Sequence, residues 1–569
     1  MKKVLRINMT TGTVAWETLK DDYKLFGNRG LVAKVLTDEV DPTCDPLGED
    51  NKLIFALGML AGTGFPTANR ISVGTKSPLT KGIKESNAGG NIGAILARHG
   101  IKMIIVEGKP ESGMYILNIT ADGEANLVKA DEYKGIGTYD LVSKMKADKG
   151  DKIAVACIGG AGERGYANST IQVTDFATGH PSRSLARGGV GSVMGSKGLK
   201  AIVIEPAKNK AEIEYADKEK FMKALRAYLE VLDRNAAMRA MKKFGTMLGM
   251  AVTGKTGALP VKNFSGQRCE ILEDIGCTKF AQTLNKRGAK YEIPCQPGCP
   301  ISCHNTWVDK DGNYVTSGFE YETVALIGSN CDIRDLDLIA NIERMCDDFG
   351  IDTIELGATI GVCMEGGKLP WGDGEKALAL VKEIIDDTEF GKILASGCQA
   401  TGEYLGVKRI PCVKGQAMPG YDPRNSKGTG LGYATSPQGA DHTVGTTSGS
   451  AGDFKKVGRT QMSQKVQVLY AMADNVFCHF AALPLASTHK FGVMHLVEAM
   501  AGKFGGEWTV DRLFGVGLQT LIMEKKFNRG AGFTAKDDRL PQFFYDEPSP
   551  MTGATFDFTD EELAQVLPF

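Results

Sequence analysis

Three cysteines at four-residue intervals, Cys295, Cys299 and Cys303, fall in a stretch that cannot be helical: Pro294-Cys295-Gln296-Pro297-Gly298-Cys299-Pro300-Ile301-Ser302-Cys303. On a helix this spacing would align the thiols, but Pro297 and Pro300 lack the N–H that a helix interior uses, and Gly298 weakens it further. The stretch is a loop, and a loop can fold its thiolates around a metal centre. Three close cysteines and a distant fourth suit a cubane iron–sulfur cluster or a structural zinc ion, and spacing alone leaves both open. The candidate fourth is Cys478, in Ala473-Asp474-Asn475-Val476-Phe477-Cys478-His479, where a helical pattern breaks. Of 13 cysteines in 569 residues the other nine are scattered, which is no disulfide framework. They read as small buried hydrophobes, with Cys269 and Cys277 set apart as a pair in a polar stretch.

Composition narrows the class. The formal net charge of -1 gives no electrostatic footprint for nucleic acid or a membrane surface. With 42% hydrophobic and 24% charged residues the chain is an ordinary globular one. No apolar run approaches the roughly 18 residues of a membrane span, and the start, MKKVLRINMTTG, lacks the apolar stretch of a signal peptide. A reducing, cytoplasmic location is expected. Glycine is the outlier at 70 residues, which suggests many tight turns and close backbone approaches to a ligand.

The pattern along the chain predicts an α+β protein. Short apolar runs separated by turns (53–57, 103–106, 152–156, 201–204) make residues 1–207 a β-rich base domain. Residues 208–415 read as mostly helical and carry the cysteine loop; residues 416–569 form a second helical domain after a Gly/Ser/Thr-rich stretch. Phe221, Leu225, Leu229 and Leu232 open a long amphipathic helix. Leu338, Ile339, Ile342, Met345 and Phe349 line another over 336–349; Gly350 stops it and Asp352 or Thr353 caps the next. No fixed-period repeat of solenoid type is visible.

Two glycine-rich blocks look built for polyanions. One runs from Arg70 through Lys76-Ser77-Pro78 to Asn87-Ala88-Gly89-Gly90. The other is Leu185-Ala186-Arg187-Gly188-Gly189-Val190-Gly191 and on to Lys197. Successive backbone N–H groups form anion nests, and the basic side chains add charge. The second block is no dinucleotide fingerprint, because its last glycine is misplaced, and there is no Walker A motif. Glu320 and Glu322 lead directly into the apolar segment 323–327. A carboxyl there has a raised pKa and suits proton transfer. His442 lies in a Gly/Ser/Thr-rich loop where it can face a ligand.

These residues together resemble the aldehyde:ferredoxin oxidoreductases, tungsten bis-pyranopterin enzymes. The likeness also takes in Gly27-Asn28-Arg29-Gly30-Leu31, Met418-Pro419-Gly420-Tyr421-Asp422-Pro423-Arg424 and Asp537-Asp538-Arg539-Leu540-Pro541, and runs essentially end to end. It implies a β-rich base with two helical domains closing over the cofactor, a [4Fe-4S] cluster on Cys295, Cys299, Cys303 and Cys478, and a Mg2+ between the pterin phosphates. Asn87, through its carbonyl, and the chain at Leu185-Ala186 would hold the magnesium. Arg70, Lys76, Ala88, Gly89, Arg187 and Gly188 would lie near the phosphates. Asp347, Ile351 and Asp352 match a pterin motif Asp-x-x-Gly-Leu-Asp, with Ile in place of Leu. Asp474 falls in the second such motif, which lacks its glycine here and has its acid one residue closer to the cysteine. Three residues, not the family's two, separate Cys295 from Cys299. Glu322 and His442 would face tungsten as proton handler and carbonyl hydrogen-bond donor. The implied reaction is aldehyde oxidation to a carboxylic acid, with electrons leaving to ferredoxin or an iron–sulfur subunit; the alternative is a tungsten subunit that reduces an aromatic acyl-CoA ring or a carboxylic acid. Molybdenum in place of tungsten, and a homo-oligomer, are compatible with the same residues.

Overall fold

The computed structural model describes residues 3–266, 270–449, 452–486 and 490–569; Cys269 lies outside the described residues. Strands β1 (Lys3–Asn8), β2 (Thr13–Thr18), β3 (Leu53–Leu57), β4 (Ile71–Lys76), β5 (Ile83–Ala88) and β6 (Ile101–Glu107) form one sheet in the order β2-β1-β6-β3-β4-β5. Strands β7 (Tyr115–Ile119), β8 (Ala125–Lys129), β9 (Ala154–Cys157), β10 (Ile171–Val173), β11 (Arg183–Leu185) and β12 (Leu199–Ile204) form a second, in the order β11-β10-β9-β12-β7-β8. Both sheets bury apolar residues in a single core: Leu5, Phe55, Val73 and Ile104 meet Leu117, Val173, Leu185 and Ile202. Strand β3 is buried along its whole length, which explains its unbroken apolar run.

The two sheets repeat one plan. Each begins with an antiparallel hairpin, a short 3-10 turn (Asp21–Tyr23 or Asp131–Tyr133) and a twelve-residue helix (Asn28–Glu39 or Thr138–Lys149). Each ends with a seven-residue helix (Ile92–Arg98 or Val190–Ser196) and a last strand running parallel to the first. This repetition was not visible as a period. Its traces are Asp21-Asp22-Tyr23-Lys24 against Asp131-Glu132-Tyr133-Lys134. The repeat makes Asn87-Ala88-Gly89, at the end of β5, the counterpart of Leu185-Ala186-Arg187, at the end of β11. The two turns touch: Ser86 Oγ donates to the Arg187 carbonyl at 2.8 Å.

From Lys218 onward helices dominate. The predicted amphipathic helix is Lys218–Arg234, with Phe221, Leu225 and Leu232 buried. Leu336–Phe349 is a helix with the predicted bounds. Gly350 ends it at φ 86°, and the Asp352 side chain caps Thr353–Glu365. Its buried face is more polar than the predicted stripe. Ile339, Ile342 and Cys346 are buried together with Glu343 and Asp347, whereas Leu338, Met345 and Phe349 are only partly covered. A three-stranded antiparallel sheet (Tyr291–Ile293, His304–Val308, Tyr314–Ser317) interrupts this mainly helical region, and a helix Lys427–Thr435 interrupts the glycine-rich stretch. Helices Arg459–Val476 and Val510–Gly530 pack on Asn28–Glu39. No helix among the described residues is long and apolar enough to cross a membrane.

Arg29, fully buried, ties the base to these helices. Its guanidinium donates to both oxygens of Glu524 at 2.7 and 2.8 Å and to Asp474 at 3.2 Å. Removing one partner of a buried ion pair leaves uncompensated charge. Arg29→Ala is therefore expected to destabilise the protein by about 3–5 kcal/mol. Chemical denaturation of the purified variant checks this; an unchanged first unfolding transition would contradict it.

Candidate active site

Cys295, Cys299, Cys303 and Cys478 line one cavity with Arg70, Arg183, Glu320, Glu322, His442 and His479; its volume is about 350 Å³. The base domain sets the thiol loop in place. The Thr67 carbonyl accepts from Gln296 Nε2 at 3.2 Å and from the Cys478 backbone N–H at 3.3 Å, joining the two cysteine segments. Asn69 Nδ2 donates to the Pro297 carbonyl at 3.2 Å, and Gly90 N–H to the Cys295 carbonyl at 2.8 Å. Gly89 packs against Cys295 so closely that a Cβ there would lie 3.0 Å from its carbonyl oxygen and 3.1 Å from its sulfur. The Cys299 thiol hydrogen-bonds to Cys295 and, with Arg183 and Arg70 nearby, favours its thiolate; that bond and burial push Cys299 up. No three His, Cys, Asp or Glu side chains among the described residues converge tightly enough to hold a single ion. A structural zinc ion needs such convergence.

Glu322 follows the extended Glu320 in a short helix, Tyr321–Thr323, whose next turn, Val324–Gly328, widens to a π-helix. Such turns often mark functional sites. Glu322 Oε2 accepts from Gly420 N–H at 2.8 Å. Oε1 lies 3.4 Å from His442 Nδ1, yet both atoms are buried without a hydrogen-bonding partner. Burial raises the Glu322 pKa; His442 and the Gly420 N–H oppose that rise. Asp441 caps the short turn His442–Val444, accepting from the Thr443 N–H at 2.9 Å, and Lys84 anchors its other oxygen at 2.6 Å. The Tyr421 ring sits 5.6 Å from the His442 ring.

The remaining predicted residues divide into three groups. Arg70 holds Asn87, donating Nε–H to its side-chain oxygen and Nη2–H to its carbonyl at 3.1 Å. Ala88 and Gly89 continue that turn. Leu185, Ala186 and Gly188 form the facing one, where Ser77 Oγ donates to the Gly188 carbonyl at 2.7 Å. Asp347 accepts long hydrogen bonds from Ser184 (3.4 Å) and Thr316 (3.3 Å), and burial raises its pKa to about 7. Ile351 bridges to Ser169. Burial lifts the Asp474 pKa to about 8, chiefly against Arg29. Arg187 turns away from the cavity to Asp352 at 3.2 Å and to the carbonyls of Ala440 and Ala417 at 2.7 and 2.6 Å, an internal brace. Lys76 is not brought to the site: its ammonium donates to the carbonyls of Pro42 and Cys44 at 2.5 and 2.7 Å. Lys76 ends β4, four residues beyond Ser72, the cross-strand partner of Asn87, and a buried ammonium takes the nearest carbonyls.

Sequence reasoning named Glu320 beside Glu322 but missed Arg183 and His479. Arg183 donates to Glu320 at 3.2 Å. His479 stacks on Tyr470 at 5.4 Å, and burial, then Arg70, lowers its pKa to about 3. Its position directly after Cys478 was the available signal.

Four thiols and a carboxyl–imidazole pair line one cavity, an arrangement suited to oxidoreductase chemistry. Comparison with known proteins agrees. The family model "Aldehyde ferredoxin oxidoreductase, N-terminal domain" matches residues 4–206, and "Aldehyde ferredoxin oxidoreductase, domains 2 & 3" matches 223–568. The chain is 33% identical to the tungsten-containing aldehyde ferredoxin oxidoreductase of Pyrococcus horikoshii over 583 residues, covering 96% of this chain and 92% of that one. The Pyrococcus furiosus protein of the same name gives 33% over 575 residues with the same coverage. An aliphatic sulfonate oxidoreductase WOR-like subunit from Pyrococcus furiosus is 28% identical over 601 residues, covering 96% of this chain and 90% of that one. Among solved structures, the active-site complex BamBC of benzoyl coenzyme A reductase aligns with a TM-score of 0.78 at 19% identity, over 99% of this chain and 93% of that one, which shows the shared fold. The protein belongs to the aldehyde ferredoxin oxidoreductase family and is an enzyme of that oxidoreductase class; its tungsten-containing relatives imply a tungstopterin cofactor.

The close seating of Gly89 on Cys295 gives a test of the thiol loop. Gly89→Val is expected to displace Cys295 and to lower the iron content of anaerobically purified protein at least twofold, with the fold retained by circular dichroism. Full iron content would show that the Gly89 contact does not set the loop.

Proposed function

We propose that this enzyme oxidises an aldehyde to a carboxylic acid at a tungsten–pterin centre. Cys295, Cys299, Cys303 and Cys478 would hold a [4Fe-4S] cluster, which would supply single-electron transfer to ferredoxin or an iron–sulfur partner protein. The observation that carries this reading is the Glu322–His442 pair, two buried groups with unpartnered atoms, facing the cavity that the four thiols also line. The bound tungsten centre supplies the two-electron redox chemistry. A Mg2+ ion would sit between the Asn87 carbonyl and the chain at Leu185-Ala186.

The balance is aldehyde plus water to acid, two protons and two electrons. His442 donates a hydrogen bond to the aldehyde oxygen and stabilises the negative charge that grows there. Glu322 takes the proton released as the new C–O bond forms; a carboxyl raised toward neutrality suits that transfer. The Gly420 N–H fixes its second oxygen, so Oε1 is the atom that acts. Tyr421 and the apolar side chains Met241, Leu248, Val252 and Leu483 limit water around the pair.

Glu322→Gln is expected to lower kcat by about 10²–10⁴-fold while tungsten content stays at the wild-type level. In the wild type, activity should rise with pH through a limb above the ordinary glutamate value of about 4.3, because the base works deprotonated and burial raises its pKa. Normal turnover in Glu322→Gln would remove this residue from the mechanism. The reductive direction uses the same residues, and the name of the benzoyl coenzyme A reductase neighbour makes it worth separating. Dye-coupled assays with an aldehyde panel should show turnover, whereas activity confined to aromatic acyl thioesters would reverse the assignment.

A further inference from the structure

The helix Leu336–Phe349 and strand β5 of the base each present an acid to which neither the family resemblance nor the proposed reaction gives a role. On the helix Leu336–Phe349, Glu343 lies one turn before Asp347, on the same buried face. Its Oε2 is buried without a hydrogen-bonding partner, and the charged groups around it are Asp347, Glu320 and Arg183. On β5, Glu85 lies two residues before Asn87 and so on the same face of the strand. Its Oε1 is also buried and unpartnered, and the charges around it are Arg29, Lys84 and Glu524, with Asp474 close by.

The arrangement is paired. Glu343 and Asp347 stand with Arg183 at the start of β11; Glu85 and Asp474 stand with Arg29, and Arg70 precedes β4. Both carboxyl pairs are flanked by further unpartnered amides or hydroxyls: Asn168 and Ser169 beside Ile351-Asp352, and Asn28 beside Arg29. A buried carboxyl oxygen with no partner costs free energy, so Glu85 Oε1 and Glu343 Oε2 each call for a donor that the protein does not supply. A ligand with two similar ends, each rich in N–H donors, would satisfy all of them.

We infer that Glu85 and Glu343 are positioning residues which, with Asp474 and Asp347, grip the amino and ring N–H edges of the two pterin wings, one pair per wing. This rests on the tungstopterin reading. It adds an acid to the second wing, where the motif around Asp474 is irregular, and supplies that acid from the base domain instead of the helix.

The test uses holoenzyme purified without oxygen from wild type and from the single variants Glu85→Gln, Glu85→Ala, Glu343→Gln and Glu343→Ala. Tungsten, iron and acid-released fluorescent pterin are measured per chain. Each alanine variant is expected to lose about fivefold or more of its tungsten and pterin, as loss of a charge-assisted hydrogen bond implies. Iron content should stay at the wild-type level, which a general folding defect would not allow. The glutamine variants keep shape and one acceptor, so they should fold, retain intermediate pterin and release it at lower temperature than wild type. Wild-type pterin content and release temperature in the glutamine variants, or full tungsten in the alanine variants, would overturn the inference while leaving the proposed reaction standing. A wild-type protein with no pterin would sink both.

Discussion

Three buried cations reach from the β-rich base into the helical part. Arg29 reaches Glu524 and Asp474, Lys84 reaches Asp441, and Arg187 reaches Asp352. Buried ion pairs add little net stability over apolar packing, but breaking one is costly, so they dictate which surfaces meet. Here they hold the His442 loop, the Asp347–Asp352 turn and the Asp474 helix in register with two glycine turns of the base. The four thiols depend on the same alignment, since Thr67 and Gly90 of the base hold both cysteine segments.

Given that frame, the site has more buried polar atoms than the protein itself partners. Glu322 Oε1, His442 Nδ1, Glu85 Oε1 and Glu343 Oε2 all lack a hydrogen bond. A folded protein tolerates such groups where a ligand completes them. The lining near Glu322 is largely apolar, whereas the turns at Asn87 and Leu185 are polar.

Much of this was legible in the sequence because strong local rules were at work. Pro297, Gly298 and Pro300 forced a loop at the thiols, and Gly350 and Asp352 fixed a helix stop and the next cap. The carboxylate leading into residues 323–327 located Glu322. What was not legible depended on tertiary partners. The short strands at 291–317 are set by cross-strand pairing, and the helix Lys427–Thr435 is buried among glycines with no amphipathic pattern. The duplicated base left only a few matching residues. Lys76 looked like a phosphate ligand in a glycine-rich block, but it ends β4, and its ammonium donates to Pro42 and Cys44. Glu343 and Glu85 could have been noticed from their i+4 and i+2 relation to Asp347 and Asn87. Their sequence spacing alone does not say that a buried face is waiting for a ligand.

The most direct test of the central claim is the elemental and pterin content of the wild-type protein purified under strict exclusion of oxygen. The account predicts tungsten or molybdenum together with pterin, organic phosphate and about four iron atoms per chain, with no stoichiometric zinc. A colourless protein that contains zinc at the cysteine loop and neither heavy metal nor pterin would contradict it.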